Sequence, residues 1–301
     1  MKTKEESVMK FTAILLALLL CFNLAAVSFA DDEISPEKAA ELQEKIEQNR
    51  ALPEHQEGYV EEGDGCYYVV NWCKNGDLNI YGEFCFPADF DPSATYPVVI
   101  YSHQNMGSHR SFKKPGWLEY MAKNGNIIGY TFDFCGGTEA PNCLSDMDYS
   151  ESTDETQVSD LNAIIEFVKS QPFCDTEHVF LLGGSRGGRD TALCGAQHSD
   201  DIAGLILLYA ALEVPDGGMD SVIDKIGAYT GDVLLIHGMK DPTVLYDSSL
   251  NAFLNAYQDA HSQLLLLSGK GAAHSFDGVN ATLRDVAESA VLEFIKIHTQ
   301  K

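Results

Sequence analysis

The chain has 301 residues, room for one large domain or two small ones, and its apolar content of 45% is that of an ordinary packed protein. Forty-five Asp and Glu against twenty Lys and Arg leave a formal net charge of −25, which argues against nucleic acid or anionic membrane surfaces as partners. Neutral or cationic substrates suit such a surface better.

Residues 1–30 carry lysines at Lys2, Lys4 and Lys10, an apolar run from Phe11 to Val27, and small residues at Ser28 and Ala30. This is the pattern of a secretory signal peptide, so the mature chain is expected outside the cytoplasm and free of the membrane after cleavage. The rival, a membrane anchor, has a run near the lower length limit for spanning. A lipoprotein reading at Cys21 meets Leu20 where a small residue belongs.

Beyond the leader stand Cys66, Cys73, Cys85, Cys135, Cys143, Cys174 and Cys194. The set is odd, so at least one remains free or pairs with another chain, and none has zinc-type Cys-x-x-Cys spacing. Residues 31–60 are polar, with Ser35-Pro36 suited to start a helix, and read as an N-terminal helix or tether. The catalytic domain is expected over 61–301.

Cys66–Cys73 and Leu78–Phe86 read as strands joined by Lys74-Asn75-Gly76-Asp77, a strong hairpin signal. With Asn75-Gly76 as the turn pair, Lys74 faces Asp77 and Cys66 falls opposite Cys85, close enough for a cross-strand disulfide. Cys135 and Cys143 form a second candidate pair, and Cys194 reads as a buried apolar residue.

After Pro92 strand and helix alternate. Strands are expected at 98–102, 126–132, 179–182, 204–209, 233–236 and 264–267, with helices at 116–123, 157–170, 189–197, 246–260 and 281–298. Continuous apolar strands separated by helices imply a mostly parallel sheet with helices on both faces, preceded by the antiparallel hairpin. Two long connections remain. Residues 213–231 leave space for only a short cap, and the acidic loop 135–155, with Asp146, Asp148, Glu151, Asp154 and Glu155, is expected near the carboxyl edge of the sheet, repelling anionic groups.

The stretch His178-Val-Phe-Leu-Leu-Gly-Gly-Ser-Arg-Gly-Gly places Gly183, Ser185 and Gly187 in a Gly-x-Ser-x-Gly pattern between a strand and a helix. A serine at so sharp a turn sits in strained backbone, and a side chain at either glycine would meet the neighbouring strand or helix. The spacing is neither that of a dinucleotide fingerprint nor that of a P-loop. A serine hydroxyl needs a base, and the base an orienting acid. His274 follows the last strand in a glycine-containing loop, and Asp241 follows the strand 233–236, giving the order Ser, Asp, His. Rival acids are Asp216, Asp220 and Asp247; rival bases are His237 and His261.

Several motifs stand in register: Ser102-His103-Gln104-Asn105-Met106-Gly107-Ser108, Asp133-Phe134-Cys135-Gly136-Gly137-Thr138, Gly183 to Gly187, His237-Gly238-x-x-Asp241-x-x-Val244 and Gly271-x-x-His274. From about Tyr81 to the C-terminus the chain resembles α/β-hydrolase fold serine hydrolases. It is most similar to compact bacterial esterases grouped with cinnamoyl (feruloyl) esterases and dienelactone-hydrolase-like proteins. The resemblance implies Ser185 as nucleophile, Asp241 as acid and His274 as base, with oxyanion N–H donors from Arg186 and Asn105. Where such proteins usually have His-Gly, this chain has His103-Gln104, which leaves the second donor between Gln104 and Asn105. Arg186 could also reach the acidic loop.

The expected activity is hydrolysis of a small-molecule or polymer-attached carboxylic ester through an acyl-enzyme, with no metal or organic cofactor. A serine peptidase of the same fold and a catalytically inactive binding member are the alternatives. A peptidase usually adds a recognition domain for the chain end, which nothing before Tyr81 is large enough to supply, and an inactive member should have lost one of the three residues.

Overall fold

Alternation along the central strands divides the core in two. The computed structural model describes residues 36–135, 144–146, 152–214 and 219–299, so the leader expected over residues 1–30 lies outside the described residues. Helix α1 (Pro36–Arg50) is followed by β1 (Val60–Gly63), β2 (Cys66–Asn75), β3 (Leu78–Pro87), β4 (Tyr96–Ser102), α2 (Arg110–Lys113), α3 (Trp117–Gly125) and β5 (Ile128–Phe132). Then come α4 (Asp154–Lys169), β6 (Cys174–Gly184), α5 (Arg186–Gly195), β7 (Gly204–Leu208), α6 (Ile223–Ile226), β8 (Asp232–Gly238), α7 (Asp247–Asn251), β9 (His261–Leu267), α8 (Phe276–Val279) and α9 (Ala281–Thr299).

Every residue of β5 and β7 is buried, as expected of strands covered on both faces. Because successive side chains point to opposite faces, Val98, Ile100, Leu181, Leu205 and Val233 pack with Leu161 and Ile165 of α4 and Ala192 of α5. Val99, Tyr101, Leu182, Ile206 and Leu234 pack with Trp117 and Leu118 of α3 and Val291 and Phe294 of α9. Among the described residues no helix is long and apolar enough to cross a membrane.

The sheet runs β1-β2-β3-β5-β4-β6-β7-β8-β9. The β1, β2, β3 and β5 neighbours are antiparallel, and every pairing from β5/β4 to β8/β9 is parallel. From β4 the chain first winds outward to β5 and then returns to place β6 on the other side of β4. Strand order reverses there, so the loops leaving β4 and β6 part above the adjacent pair Ser102 and Gly183 and open a crevice, the usual ligand position of such sheets.

The hairpin departs from expectation by two residues. Asn75 pairs with Leu78, the turn pair is Gly76-Asp77, and Cys66 lies opposite Pro87 while Cys85 lies opposite Tyr68. The cause is tertiary: the Asn75 side-chain amide donates to Ser159 Oγ at 3.0 Å and to Asp160 Oδ1 at 2.9 Å, holding Asn75 on the strand rather than in the turn. Cys66 and Cys85 are therefore diagonal neighbours, buried, free and in contact. The hydrogen bond from Cys66, with burial, pushes the Cys85 thiol far up. The proposed partner of Cys135, Cys143, lies outside the described residues. Cys194 is fully buried, as its helical position suggested.

Two further differences are local. β1 pairs with β2 although Val60-Glu61-Glu62-Gly63 is short and mostly polar. The helix expected over 246–260 is the short α7 followed by a wider π-helical turn over Ala252–Ala256.

Candidate active site

Ser185 stands between β6 and α5 with φ +52° and ψ −117°, a region that a side chain rarely occupies. Its N–H donates to Leu208 O at 3.0 Å, and its carbonyl accepts from Ala211 N at 3.0 Å and Arg189 N at 3.2 Å, so β7 and α5 hold the turn from both sides. The glycines are required by contact. A Cβ on Gly183 would lie 2.2 Å from Gly187 O, and one on Gly187 would lie 2.3 Å from both Ser102 O and His103 O. That second approach presses the loop after β4 against the nucleophile turn.

The histidine arrives from the far edge. The loop after β9 turns through Gly269 and Gly271, both at positive φ, and returns His274 over the sheet. His274 Nε2 lies 3.0 Å from Ser185 Oγ, and Nδ1 lies 2.7 Å from Asp241 Oδ2. The carboxylate is held on all sides: Thr243 N and Val244 N donate to Oδ1 at 2.8 and 2.9 Å, and His237 Nε2 approaches Oδ2 at 3.2 Å. Burial alone would raise the Asp241 pKa, but the hydrogen bonds from His237 and His274 hold it far below the usual carboxylate range.

The three residues singled out in the sequence thus meet in one line. Of the rivals, His261 is 86% exposed beside Asp232, and Asp247 starts α7; Asp216 lies outside the described residues. Asp220 uses its carbonyl to accept from Arg189. His237 is fully buried at the end of β8 and faces Asp241, Val244 O and Ser249 Oγ, not Ser185.

The loop leaving β4 carries the expected oxyanion donors. Among the described residues the backbone N–H groups of Gln104 and Asn105 donate to no protein acceptor. The N–H of Arg186, first residue of α5, has no intrahelical partner. His103 fixes the loop: its Nε2 accepts from Phe134 N at 3.3 Å, so the proton sits on Nδ1 and donates to Gln104 O at 2.9 Å. Burial lowers its pKa and keeps the ring neutral. At the other end of the loop His109 N donates to Asp133 Oδ1 at 2.6 Å, and Thr131 Oγ1 donates to His109 O at 2.7 Å.

Arg186 reaches the acidic stretch, with Nη2 3.0 Å from Asp154. Asp154 is also gripped by Arg189, and Asp146 pairs with Arg50 at 2.7 Å. Two carboxylates expected to repel anions are therefore neutralised; Asp148 and Glu151 lie outside the described residues. Behind the turn, Asp190 is fully buried and its pKa is pushed up to about 7 by burial, against the pull of Arg186.

A further set was not visible in the sequence. Tyr209, at φ +39°, places its ring edge-on to His274 with centroids 4.9 Å apart. Its hydroxyl donates to Asp277 Oδ1 at 3.0 Å, and Trp117 Nε1 donates to Asp277 Oδ2 at 2.9 Å. Asp277, three residues beyond His274, thereby ties the histidine loop to α3. No motif marks it, because its partners are distant in sequence.

No family model matches the chain. Among solved structures it is similar to Est1E from Butyrivibrio proteoclasticus with ferulic acid bound, with TM-score 0.64 and 20% identity over 77% of this chain and 100% of that one. An α/β hydrolase from Penicillium sp. sh18 gives TM-score 0.62 and 14% identity, covering 78% and 99%. The Pyrococcus furiosus esterase Pf2001 gives 0.59 and 16%, covering 76% and 91%. Sequence identity is low throughout, so what these likenesses share with the present chain is architecture: it has the α/β-hydrolase fold.

Proposed function

We propose that the protein is a secreted serine hydrolase that cleaves carboxylic esters through an acyl-enzyme. The observation that carries this reading is the line Asp241–His274–Ser185, with links of 2.7 and 3.0 Å, ending on a serine at a strained turn. His274 takes the Ser185 proton as Oγ attacks the ester carbonyl, and delivers it to the departing alcohol oxygen. Water then repeats the sequence on the acyl-enzyme, releasing acid and restoring the serine. Asp241 stays ionised across the neutral range, holding the proton on His274 Nδ1 and stabilising the imidazolium. The Arg186 N–H and the Gln104-Asn105 backbone are the oxyanion donors. Secretion follows from the leader pattern of residues 1–30.

The short segment 213–231 leaves little material for a lid, which favours a bulky or polymer-attached ester. The likeness to Est1E, whose structure holds ferulic acid, makes feruloyl esters the first class to try. A fluorophosphonate probe is expected to label Ser185 alone, as mapped by peptide mass spectrometry. A panel of acetyl, feruloyl and longer-chain aryl esters then identifies the acyl group. Absence of labelling, or labelling of another serine, would overturn the assignment.

A further inference from the structure

Strained backbone gathers around the proposed centre. Among the described residues five non-glycine positions have positive φ, and three of them are Ser185, Tyr209 and Ser275, the neighbour of His274. Strain of this kind persists only where the surrounding structure imposes it, and it collects where side chains must be aimed. Tyr209 is the member of the set that the chemistry proposed above leaves without a task. Its backbone is locked to that of the nucleophile: Leu208 O and Ala211 N, on either side of it, hold the Ser185 turn, and its own N–H donates to Ile236 O at 2.8 Å. The ring lies against the residue before the serine, since a Cβ on Gly184 would sit 3.0 Å from the Tyr209 hydroxyl oxygen and 3.2 Å from ring carbon Cε2. Its aromatic neighbours are His274, with centroids 4.9 Å apart, and Phe276, at 5.5 Å.

Packing alone does not account for the polar end of this ring. Asp277 is buried, its two oxygens accept from Tyr209 and Trp117, both neutral donors, and no cation pairs with it among the described residues. A carboxylate buried against neutral donors costs stability, and a phenylalanine beside an apolar residue would fill the same space without that cost. Burial, with the Asp277 charge beside it, holds the pKa of the Tyr209 hydroxyl far above its usual range, so the hydroxyl remains a donor. Trp117, fully buried at the start of α3, braces Asp277 from the helix layer.

His274 needs a guide of this kind. Its loop enters from the edge strand β9 through two glycines at positive φ, and the single bond from Nδ1 to Asp241 leaves the ring free to swing about that point. Taking Ser185, His274 and Asp241 as the ester-cleaving centre, we propose that Tyr209 and Asp277 are positioning residues of the base: Asp277, braced by Trp117, holds the Tyr209 ring against Gly184 and His274, and the ring keeps Nε2 of His274 directed at Ser185. One aromatic side chain thereby sets the distance between the nucleophile turn and the histidine loop, which reach the site from different strands. Neither residue touches the substrate in this role; both act through His274.

The test counts Ser185 sites by fluorophosphonate labelling and divides turnover of a neutral aryl acetate by that count, so that loss of folded protein drops out. Tyr209→Phe, which keeps the ring but not its bond to Asp277, and Asp277→Ala should each lower kcat per site about tenfold with KM within about twofold, the size expected when a reacting group shifts by a fraction of an ångström. The double variant should lose no more than either single change, because both remove the same link. Asp277→Asn should recover to within about threefold of wild type, since its amide still offers a partner to both Trp117 and Tyr209. Tyr229→Phe removes a buried hydroxyl bonded to Ile202 O on the other side of the sheet and should leave kcat per site unchanged. Values of kcat per site within about twofold of wild type in Tyr209→Phe and Asp277→Ala, a loss confined to KM, additive losses in the double variant, or an Asn variant no better than Ala would overturn the positioning role. A wild type whose Ser185 takes no label would instead overturn the catalytic reading beneath it.

Discussion

On one side of Asp241 stands His274 with Ser185, on the other His237 with Ser249, and the two arms use the same residue types. Their tautomers are opposite, yet each ring turns its N–H toward the Asp241 side and its bare nitrogen toward a serine. His274 donates from Nδ1 to the aspartate and faces Ser185 Oγ with Nε2; His237 must carry its proton on Nε2, because Val244 O at 2.9 Å can only accept, and so faces Ser249 Oγ with a bare Nδ1 at 2.8 Å. What differs is everything around the hydroxyl. Ser249 is fully buried inside α7, with no strained backbone, whereas Ser185 sits at a turn of φ +52° above the crevice, with open N–H groups nearby. On the proposed reading, a histidine and a carboxylate do not by themselves make a serine nucleophilic; access and a place for the oxyanion are what set Ser185 apart from Ser249.

The largest expected effect separates the arms at their serines. Ser185→Ala should lower kcat/KM for a neutral aryl ester about 10⁴-fold or more, and His274→Ala comparably, because the pair acts as a unit. Ser249→Ala should stay within about tenfold of wild type; the reverse order would show that the wrong arm had been chosen. Asp241→Asn serves both arms and should lose about 10³–10⁴-fold in kcat through the wrong His274 tautomer. It should also alter acid stability. The folded pKa of Asp241 lies below its unfolded value, so its contribution is complete above about pH 4 and is lost as pH falls through the folded pKa. Thermal melts of the Asn variant should lack that part of the acid decline.

His237→Ala sharpens the contrast from the other side. It leaves Val244 O and Ser249 Oγ buried without their partner, costing about 1–3 kcal/mol in denaturant unfolding, and should harm stability more than His274→Ala does. The smallest effect tests the acid behind the turn that has no histidine at all. Asp190 has its pKa raised to about 7, so the folded state keeps its proton longer than the unfolded chain, and stability falls as pH rises from about 4 to about 7. Asp190→Asn should flatten that decline in calorimetric scans; an unchanged slope would mean that another carboxyl produces it.

Much of this was legible in the sequence, for identifiable reasons. The strands of β5 and β7 are buried on both faces, so they read as unbroken apolar runs, and the Gly183 and Gly187 approaches tolerate no other residue. Ser185, Asp241 and His274 were recoverable because each follows a strand in the parallel part of the sheet. The illegible parts depend on partners far along the chain. Asn75 leaves the turn for Ser159 and Asp160, 84 and 85 residues away, and Asp277 is explained by Trp117, 160 residues away. His237 looked like a competing base because spacing cannot show which side of an aspartate a ring will approach.

Strand β1 has a consequence for the behaviour of the molecule in concentrated solution. It forms the outer edge of a nine-stranded sheet, where unpaired N–H and C=O groups could template the strand of another copy. The edge is only four residues long, and Glu61 and Glu62 place carboxylates along it, one of them shared with Lys113. A second copy approaching along that rim meets like charge and too short a ladder to hold. The dispersal of the protein thus depends at this end on a polar tetrapeptide, and exchanging its glutamates for β-branched apolar residues would turn a blunt rim into an adhesive one.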